Sequence, residues 1–358
     1  MRRGPLSVGA RTNALPGVDG SRVGDNPSGA AAGGRGPRAA ILVGLLVAAA
    51  VLGAIAGLVA GCGGSGGARD KVTLQLNWYH EAEFVGYYVA QSKGFYGAAN
   101  LDVSILEGGP GSPARDQVLN GAATFAITSF AEQKDLVSAK KPAVAVMSAF
   151  QIPPLVIFSL TDSGIHQPSD LVGKKVGVTT DYWKNVLHQT LSAAGVDPTK
   201  VTEVKVTTDD MAMLYDHQVD AWLGYAQDEP IRADIAGHPV TNIFPADYGV
   251  GGYEGLVIAN TGTVKNQPDM VKRFVAASEE GWRYALEHPD EAAAILDKQA
   301  PKNGLEFQKL AVRAVAPLVD TPQFPLGWID SARWQQLMGS AYDPANPGYT
   351  MQFSPTTP

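Results

Sequence analysis

The chain has 358 residues, one cysteine and a net charge of −7, and 45% of its residues are hydrophobic. Residues 1–38 hold six arginines against two aspartates, so basic character is confined to the N-terminal segment and binding to nucleic acid is not expected. A lone cysteine excludes an intramolecular disulfide and a metal site built from several thiolates.

The first 61 residues have the layout of a secretory signal peptide with a long basic n-region. An uncharged apolar run, residues 39–61, ends in small residues directly before Cys62. This junction resembles the bacterial lipobox, so we predict that Cys62 carries lipid (palmitate) and that residues 62–70 form a lipid-anchored flexible tether. Alternatively, the run stays uncleaved as a transmembrane anchor, since it is long enough to span a bilayer. Either reading places the rest of the chain at the extracytoplasmic face of the cell membrane.

Beyond the tether, short β-branched runs alternate with helical patterns, which is typical of α/β proteins with largely parallel sheets. A helix start is predicted at Ser112, which would cap it, with Pro113 in the first turn. The last residues, 346–358, are rich in Pro, Gly and Thr and are predicted to form a loose tail. The remaining predicted strands are 72–76, 101–106, 124–128, 143–148, 155–160, 174–179, 201–206, 221–225 and 256–259, and the helices are 83–93, 182–194, 268–286, 289–298, 305–315 and 330–338.

Two stretches, 118–127 and 214–223, pass from a helix into a strand in a similar way. One lies in each half of the folded part, which indicates two lobes of related build. Ligands of open α/β sheets bind at the carboxyl ends of strands, so two facing lobes would form a cleft.

Three motifs near the start of the folded part resemble a known family. Leu76-Asn77-Trp78, the run 83–90 (EFVGYYVA) and the run 93–96 (KGFY) are similar to the opening of type II periplasmic solute-binding proteins of ABC importers. The resemblance is closest to the branch that binds pyrimidine precursors of thiamine, with sulfonate, nitrate and taurine binders as relatives. The segments 108–110, 170–178 and 228–230 agree with it.

The resemblance implies a fold of two α/β lobes joined by two crossover strands around a central cleft. The first lobe would comprise residues 71–160 and 256–345, the second lobe residues 161–255, with crossovers near 157–160 and 256–259. It also implies a monomeric lipoprotein that works with an ABC permease and ATPase, without cofactor, metal or catalysis.

The candidate solute contacts lie just past predicted strand ends, where aromatic residues and carboxylates are dense. Aromatic rings would stack on a flat heteroaromatic solute, and carboxylates would accept hydrogen bonds from its amino groups. The one nearby cation, Lys184, stands alone, which argues against a nitrate or sulfonate site. Trp78 has an alternative role as a core anchor, and Glu229 as the start of a helix. The predicted ligand-binding residues are Asn77, Trp78, Glu83, Ser129, Phe130, Tyr182, Tyr225, Glu229, Asp247, Tyr248 and Tyr253.

The sequence therefore predicts a receptor for a small heteroaromatic vitamin precursor, first of all an aminopyrimidine of the thiamine pathway. Riboflavin is the alternative ligand, and a sulfonate, nitrate or taurine-type solute ranks third. A pyrimidine-synthase-like enzyme conflicts with the signal peptide and with the missing cysteine-rich iron motif, and the six histidines show no metal-binding spacing. A sensor ectodomain is the remaining alternative.

Overall fold

Two five-stranded mixed sheets with helices around them make up the fold in the computed structural model, which describes residues 68–109, 113–207 and 211–355. The predicted signal peptide, Cys62 and most of the tether lie outside these residues, as do Ser112 and residues 356–358. No helix within the described ranges is long and apolar enough to cross a membrane.

The first sheet has the strand order β2-β1-β3-β10-β4. Strands β1, β2 and β3 are parallel, whereas β10 runs antiparallel to both β3 and β4. The strands are β1 (Asp70–Gln75), β2 (Leu101–Leu106), β3 (Phe125–Thr128), β4 (Ala143–Phe150) and β10 (Glu254–Asn260).

The second sheet repeats this topology in the order β7-β6-β8-β5-β9. Strands β6, β7 and β8 are parallel, and β5 runs antiparallel to both β8 and β9. The strands are β5 (Leu155–Leu160), β6 (Lys175–Val178), β7 (Thr202–Lys205), β8 (Ala221–Tyr225) and β9 (Val240–Ile243). The two sheets have equivalent pairings, so the fold is built from two α/β lobes of the same design.

The chain passes between the sheets at residues 151–154 and returns at residues 244–253. Strand β5, assigned to the first lobe by the sequence, pairs with strands of the second sheet, so the first boundary lies before Leu155 rather than after Leu160. Because β5 is wholly buried, its apolar run fits either sheet, and the sequence does not reveal its partner strands. The returning strand joins the first sheet as predicted.

Helices surround the sheets, and several begin at a side-chain cap. Thr180 accepts the backbone N–H of Trp183, and Asp330 accepts that of Arg333. Pro113 directly precedes its helix instead of occupying the first turn. The helices are α1 (Val85–Ser92), α2 (Phe95–Ala98), α3 (Ala114–Leu119), α4 (Phe130–Ser138), α5 (Asp181–Ala193), α6 (Ala212–Tyr215), α7 (Glu229–Ile235), α8 (Thr261–Asn266), α9 (Pro268–Glu287), α10 (Pro289–Asp297), α11 (Leu305–Val319) and α12 (Ser331–Met338).

The C-terminal residues are attached to the first lobe, up to Pro355 where the description ends, so the expectation of a loose tail is wrong for them. Tyr349 forms a parallel bridge with Ala145 of β4, and Phe353 is 4% exposed. The indole of Trp334 donates a hydrogen bond to the carbonyl of Pro347 at 2.7 Å. Composition favoured a loop, but these backbone pairings and one buried ring hold the segment in place.

Helices α1 and α9 cross at very close range in the first lobe. A Cβ atom on Gly86 would lie 2.2 Å from Cγ of Trp282, and one on Gly281 would lie 2.2 Å from the carbonyl oxygen of Gly86. Trp282 is fully buried, so its ring has no room to retreat. Glycine is therefore required at this crossing for close packing.

We expect the substitution Gly86→Ala to lower the free energy of unfolding by about 1–3 kcal/mol, because it overpacks the core at Trp282. Gly97→Ala is the matched control, since its nearest neighbour at 3.3 Å is the flexible guanidinium of Arg69. Urea denaturation of residues 69–358, which contain both sheets, measures the two differences. Equal stability of the two variants would contradict the tight crossing.

Candidate functional site

The segment that follows β1 carries three of the predicted site residues. Asn77 places its side-chain oxygen in a buried position without a hydrogen-bond donor from the described chain. Trp78 is 40% exposed and packs edge-to-face on Tyr79, with 5.3 Å between ring centroids. Gly108 donates its N–H to the carbonyl of Trp78 at 2.9 Å, so the glycine-rich loop holds this segment in position.

Four glutamate carboxyl groups, which we call the acidic cluster, form the main electrostatic feature: Glu81, Glu83, Glu229 and Glu254. Burial, together with neighbouring carboxylates, raises the pKa of Glu81 to about 9 and the pKa values of Glu83 and Glu254 to about 8, from an ordinary value of 4.5. The charged neighbours that raise the pKa of Glu83 are Glu254 and Asp228. The cluster therefore draws its members from the 3₁₀ turn Ala82–Phe84 and its N-cap just before α1, from β10 and from the start of α7.

Glu229 has a structural role within the cluster. It is the first residue of α7, and its Oε2 accepts the backbone N–H of Tyr225 at 2.8 Å. Burial and the neighbouring Asp228 raise the pKa of Glu229 to about 7, against the opposing effect of its backbone hydrogen bonds. Its carboxyl fills the space beside Gly224, where a Cβ would lie 2.4 Å from Oε2. Its contacts thus agree with the alternative considered from the sequence, in which Glu229 begins a helix.

An aromatic row from the second lobe lies beside the acidic cluster. Tyr182, Trp183 and Tyr225 contact one another edge-to-face, with ring centroids 5.1 Å apart in both pairs. Burial raises the pKa of both tyrosine hydroxyls, and Glu254 raises each of them further. Tyr182 remains 40% exposed and offers part of its ring to the cleft.

The two lobes contact each other at this site. Nε2 of Gln227, just after β8, donates to Oε2 of Glu83 at 3.5 Å. Close by, Arg232 of α7 pairs with Asp228, lies 4.5 Å from the ring centroid of Phe307 and donates to Asn303. The acidic cluster therefore lies where residues of both lobes meet, as expected for a cleft site.

Three predicted site residues have packing roles in the first lobe instead. The hydroxyl of Ser129 caps α4 by accepting the backbone N–H of Glu132 at 3.2 Å. Phe130 packs edge-to-face on Trp334 in the core. Tyr253 is fully buried, and its hydroxyl accepts the backbone N–H of Asp330 at 2.9 Å. Local pattern marked these positions as strand ends but does not show which way a side chain points.

Asp247 and Tyr248 lie in a short 3₁₀ helix, Pro245–Tyr248, before the return to the first sheet. The ring of Tyr248 packs on the core of the second lobe. Burial raises its pKa, followed by the charges of Asp247 and Asp170. Its charged neighbours are thus different from those of the acidic cluster, and the structure does not bring this pair to it.

The predicted list omits three residues of the site, Glu81, Gln227 and Glu254, although Gln227 lay inside the candidate run 225–229 after a predicted strand. Each of them is close in sequence to a predicted residue. Glu254 directly follows Tyr253, and Glu81 lies two positions before Glu83. Gln227 lies between Tyr225 and Glu229. Alternation along β10 offered a usable signal, since a residue next to a buried strand position points to the opposite face.

Within the described ranges the site offers hydrogen-bond acceptors, and the cation beside it, Arg232, is paired with Asp228. Lys184, the cation considered from the sequence, pairs with Glu203 at 2.8 Å. Among residues 68–109, 113–207 and 211–355, no group of His, Cys, Asp and Glu side chains is arranged to hold a metal ion. The arrangement suits a flat molecule that donates several N–H hydrogen bonds.

Sequence relatives of this chain carry names of two kinds. A pyrimidine phosphate synthase of Legionella pneumophila (4-amino-5-hydroxymethyl-2-methylpyrimidine phosphate synthase) is 26% identical, over 69% of this chain and 79% of the relative. A formylaminopyrimidine-binding protein of Halalkalibacterium halodurans is 27% identical, over 76% and 84%. The riboflavin-binding protein RibY of Chloroflexus aurantiacus is 27% identical, over 74% and 78%.

Among solved structures, the periplasmic aliphatic sulphonate-binding protein SsuA of Escherichia coli aligns with a TM-score of 0.60 at 17% identity, covering 75% of this chain and 85% of that chain. This likeness confirms the predicted periplasmic-binding-protein fold. The model of the family described as NMT1/THI5 like matches residues 81–292, which is more than half of the chain and most of both lobes. The chain therefore belongs to the NMT1/THI5-like family.

Proposed function

We propose that this chain is the extracytoplasmic solute receptor of an ABC importer and that its solute is a small heteroaromatic molecule bearing amino groups. The observation that carries the proposal is the acidic cluster beside the aromatic row of Tyr182, Trp183 and Tyr225. Carboxylate acceptors match amino and ring N–H donors, and an exposed tyrosine ring face stacks on a flat ring. An aminopyrimidine of the thiamine pathway fits both features.

The mechanism follows from the contact between the lobes. A solute in the cleft touches Glu83 and Glu254 from the first lobe together with Tyr182 and Gln227 from the second. Such a solute binds the closed arrangement better than an open one and shifts the equilibrium towards closure. Closure about the two crossing segments, 151–154 and 244–253, would then present both lobe faces to a permease. In this proposal, lipid on Cys62 keeps the receptor at the membrane, where the short tether raises its local concentration.

Two alternatives have specific support from the relatives. The name of the Chloroflexus relative favours riboflavin, which is also flat and donates a ring N–H. The name of the Legionella relative favours a synthase. The acidic cluster supports the binding reading directly, since its carboxyl groups match the N–H donors of a bound solute.

We expect residues 69–358 to be stabilised by 4-amino-5-hydroxymethyl-2-methylpyrimidine or formylaminopyrimidine in a thermal-shift screen, with riboflavin, thiamine, taurine and nitrate as competitors. A ligand at 100 times its Kd stabilises a protein by about 2.7 kcal/mol. Incubation of each pyrimidine with the protein, followed by mass analysis, separates binding from turnover. Stabilisation by taurine or nitrate alone would contradict the proposal.

The substitution Tyr182→Ala is expected to weaken binding of the stabilising pyrimidine by about 0.5–1.5 kcal/mol, because it removes a ring that stacks on the solute. Tyr182→Phe is the matched control, since it keeps the ring and loses only the hydroxyl, and it should retain most of the affinity. Isothermal titration calorimetry compares the two. An equal loss in both variants would assign the contribution to the hydroxyl instead.

The raised pKa values predict how stability without solute depends on pH. The folded chain binds more protons than the unfolded chain between about pH 4.5, where free glutamate titrates, and about pH 8, where Glu83 and Glu254 titrate in the folded state. The free energy of unfolding should therefore be largest at the acid side of this window and fall as pH rises through it. We expect Glu254→Gln to flatten the slope of Tm against pH between pH 5 and pH 9. An unchanged slope would show that Glu254 titrates normally.

A further inference from the structure

The amide of Gln227 is an acceptor without a donor at the centre of the site. Gln227 is 2% exposed, and its Nε2 end contacts Oε2 of Glu83 at 3.5 Å. Its Oε1 is buried and has no hydrogen-bond partner in the described chain. A buried carbonyl oxygen without a donor destabilises a fold, and buried polar groups are nearly always paired. The position therefore calls for a donor from outside the chain.

Glu254, which is half-buried, also lacks a donor from the described residues. Within the described ranges its carboxyl has no hydrogen-bond donor and no cation, and burial followed by Glu132 raises its pKa. Glu132 itself is engaged, because its Oε2 accepts from Thr128 at 2.7 Å and from the backbone N–H of Ser129. The other titratable groups that face Glu254 or Glu83 are Glu81, Asp228, Tyr87, Tyr88, Tyr182 and Tyr225.

The positive charge that acts on Glu81 and Glu229 belongs to Arg232. On the side of Glu254, Arg115 lies 4.0 Å from Oε1 of Glu132 and pairs with that carboxylate. Arg232 pairs with Asp228 and stacks on Phe307, so its positive charge is already balanced by a carboxylate. Asn77 adds a second buried amide oxygen without a donor, close to β1, in the part of the chain that the structure describes. The groups of the described site that lack a hydrogen-bond partner are thus acceptors, and the net charge of its ionisable groups, once ionised, is negative.

We propose that Glu83, Gln227 and Glu254 bind the positively charged, N–H-rich edge of the solute, so that the solute is held as an organic cation of amidinium type. This inference rests on the proposed receptor function and narrows its ligand class. Two adjacent N–H groups on one planar edge of the solute would donate hydrogen bonds to the carboxylate of Glu83 and to the amide oxygen of Gln227. The carboxylate of Glu254 would balance the positive charge of the solute. A solute bearing a phosphate group would be rejected, because its charge would add to that of the carboxylates.

Proton release on binding follows from this arrangement. Without solute, Glu83 and Glu254 hold protons at neutral pH. A bound cation with a single positive charge replaces one of these protons as the neutralising charge, so that one carboxyl ionises while the other keeps its proton. Affinity for a cation should therefore rise between pH 6 and pH 8, by up to about tenfold per pH unit for each proton released.

The test uses benzamidine and benzamide, which are planar aromatic molecules of nearly the same shape. Benzamidine is positively charged at neutral pH and benzamide is not. We expect residues 69–358 to bind benzamidine about tenfold more tightly than benzamide, since hydrogen bonds to charged groups are the stronger ones. Ligand-observed NMR titration at pH 6, 7 and 8 measures both affinities in the millimolar range.

Three variants locate the effect. Glu254→Gln should remove most of the preference for benzamidine, because it lowers the affinity for benzamidine more than the affinity for benzamide. Gln227→Met keeps the chain length without the unpartnered oxygen, so it should raise the Tm of the empty protein and yet weaken benzamidine binding. Glu306→Gln is the control for net charge, because this side chain is 82% exposed and pairs with Lys309 on the surface of α11; it should change neither affinity.

The outcomes separate this inference from the proposed function. Equal affinity for the two probes, failure of both to bind at millimolar concentration, or an unchanged preference in Glu254→Gln would overturn the cation assignment, while stabilisation by pyrimidines would still support a receptor. The converse result is a preference for benzamidine that depends on Glu254, while no pyrimidine stabilises the protein. That result would support the binding of a cation by the carboxyl groups and would refute a pyrimidine as the solute.

Discussion

Each sheet is completed by one strand that reaches it directly from a crossing between the lobes. Strand β5 enters the second sheet between β8 and β9, and β10 enters the first sheet between β3 and β4. Both run antiparallel to their neighbours, whereas the first three strands of each sheet are parallel. Neither sheet is complete without its crossing, which ties the two lobes together at two places and leaves a cleft between them. The position of the site follows, since Glu254 is the first residue of β10 and arrives in the cleft by way of the second crossing.

The site in this cleft is dominated electrostatically by the carboxyl groups of the acidic cluster. Four half-buried glutamates lie together, and Arg232, whose charge acts on two of them, is already paired with Asp228. A folded protein tolerates buried carboxyls either by protonation or by a partner of opposite charge. The raised pKa values describe the first solution, and a donor-rich solute would provide the second. The same groups thus connect stability, proton binding and solute recognition, and for that reason conservative Glu-to-Gln changes are informative here.

The sequence predicted every strand except β9, most of the longer helices and the two-lobed fold, because β-branched runs, helical periodicity and caps are local signals. It missed α2, α4 and α8. It misplaced β5, since a fully buried apolar strand carries no mark of the sheet it joins. At the site, Glu83, Tyr182, Tyr225 and Glu229 come together, whereas Phe130 and Tyr253 turn inward. Proximity to a strand end was the sole criterion available, and one residue along a strand reverses the direction of a side chain. Glu254 was missed for that reason: its neighbour was chosen in its place.

The attachment of the C-terminal segment has a consequence for the behaviour of the protein in concentrated solution. Strand β4 is an edge of the first sheet, and an open edge is a template for pairing with another molecule. Tyr349 bridges to Ala145, and Gly327 bridges to Ser148 on the same strand. These two short pairings occupy backbone groups that would otherwise face solvent. The C-terminal segment therefore protects the edge of β4 from pairing with another molecule. We expect a chain shortened before this segment to self-associate while it still keeps its solute site.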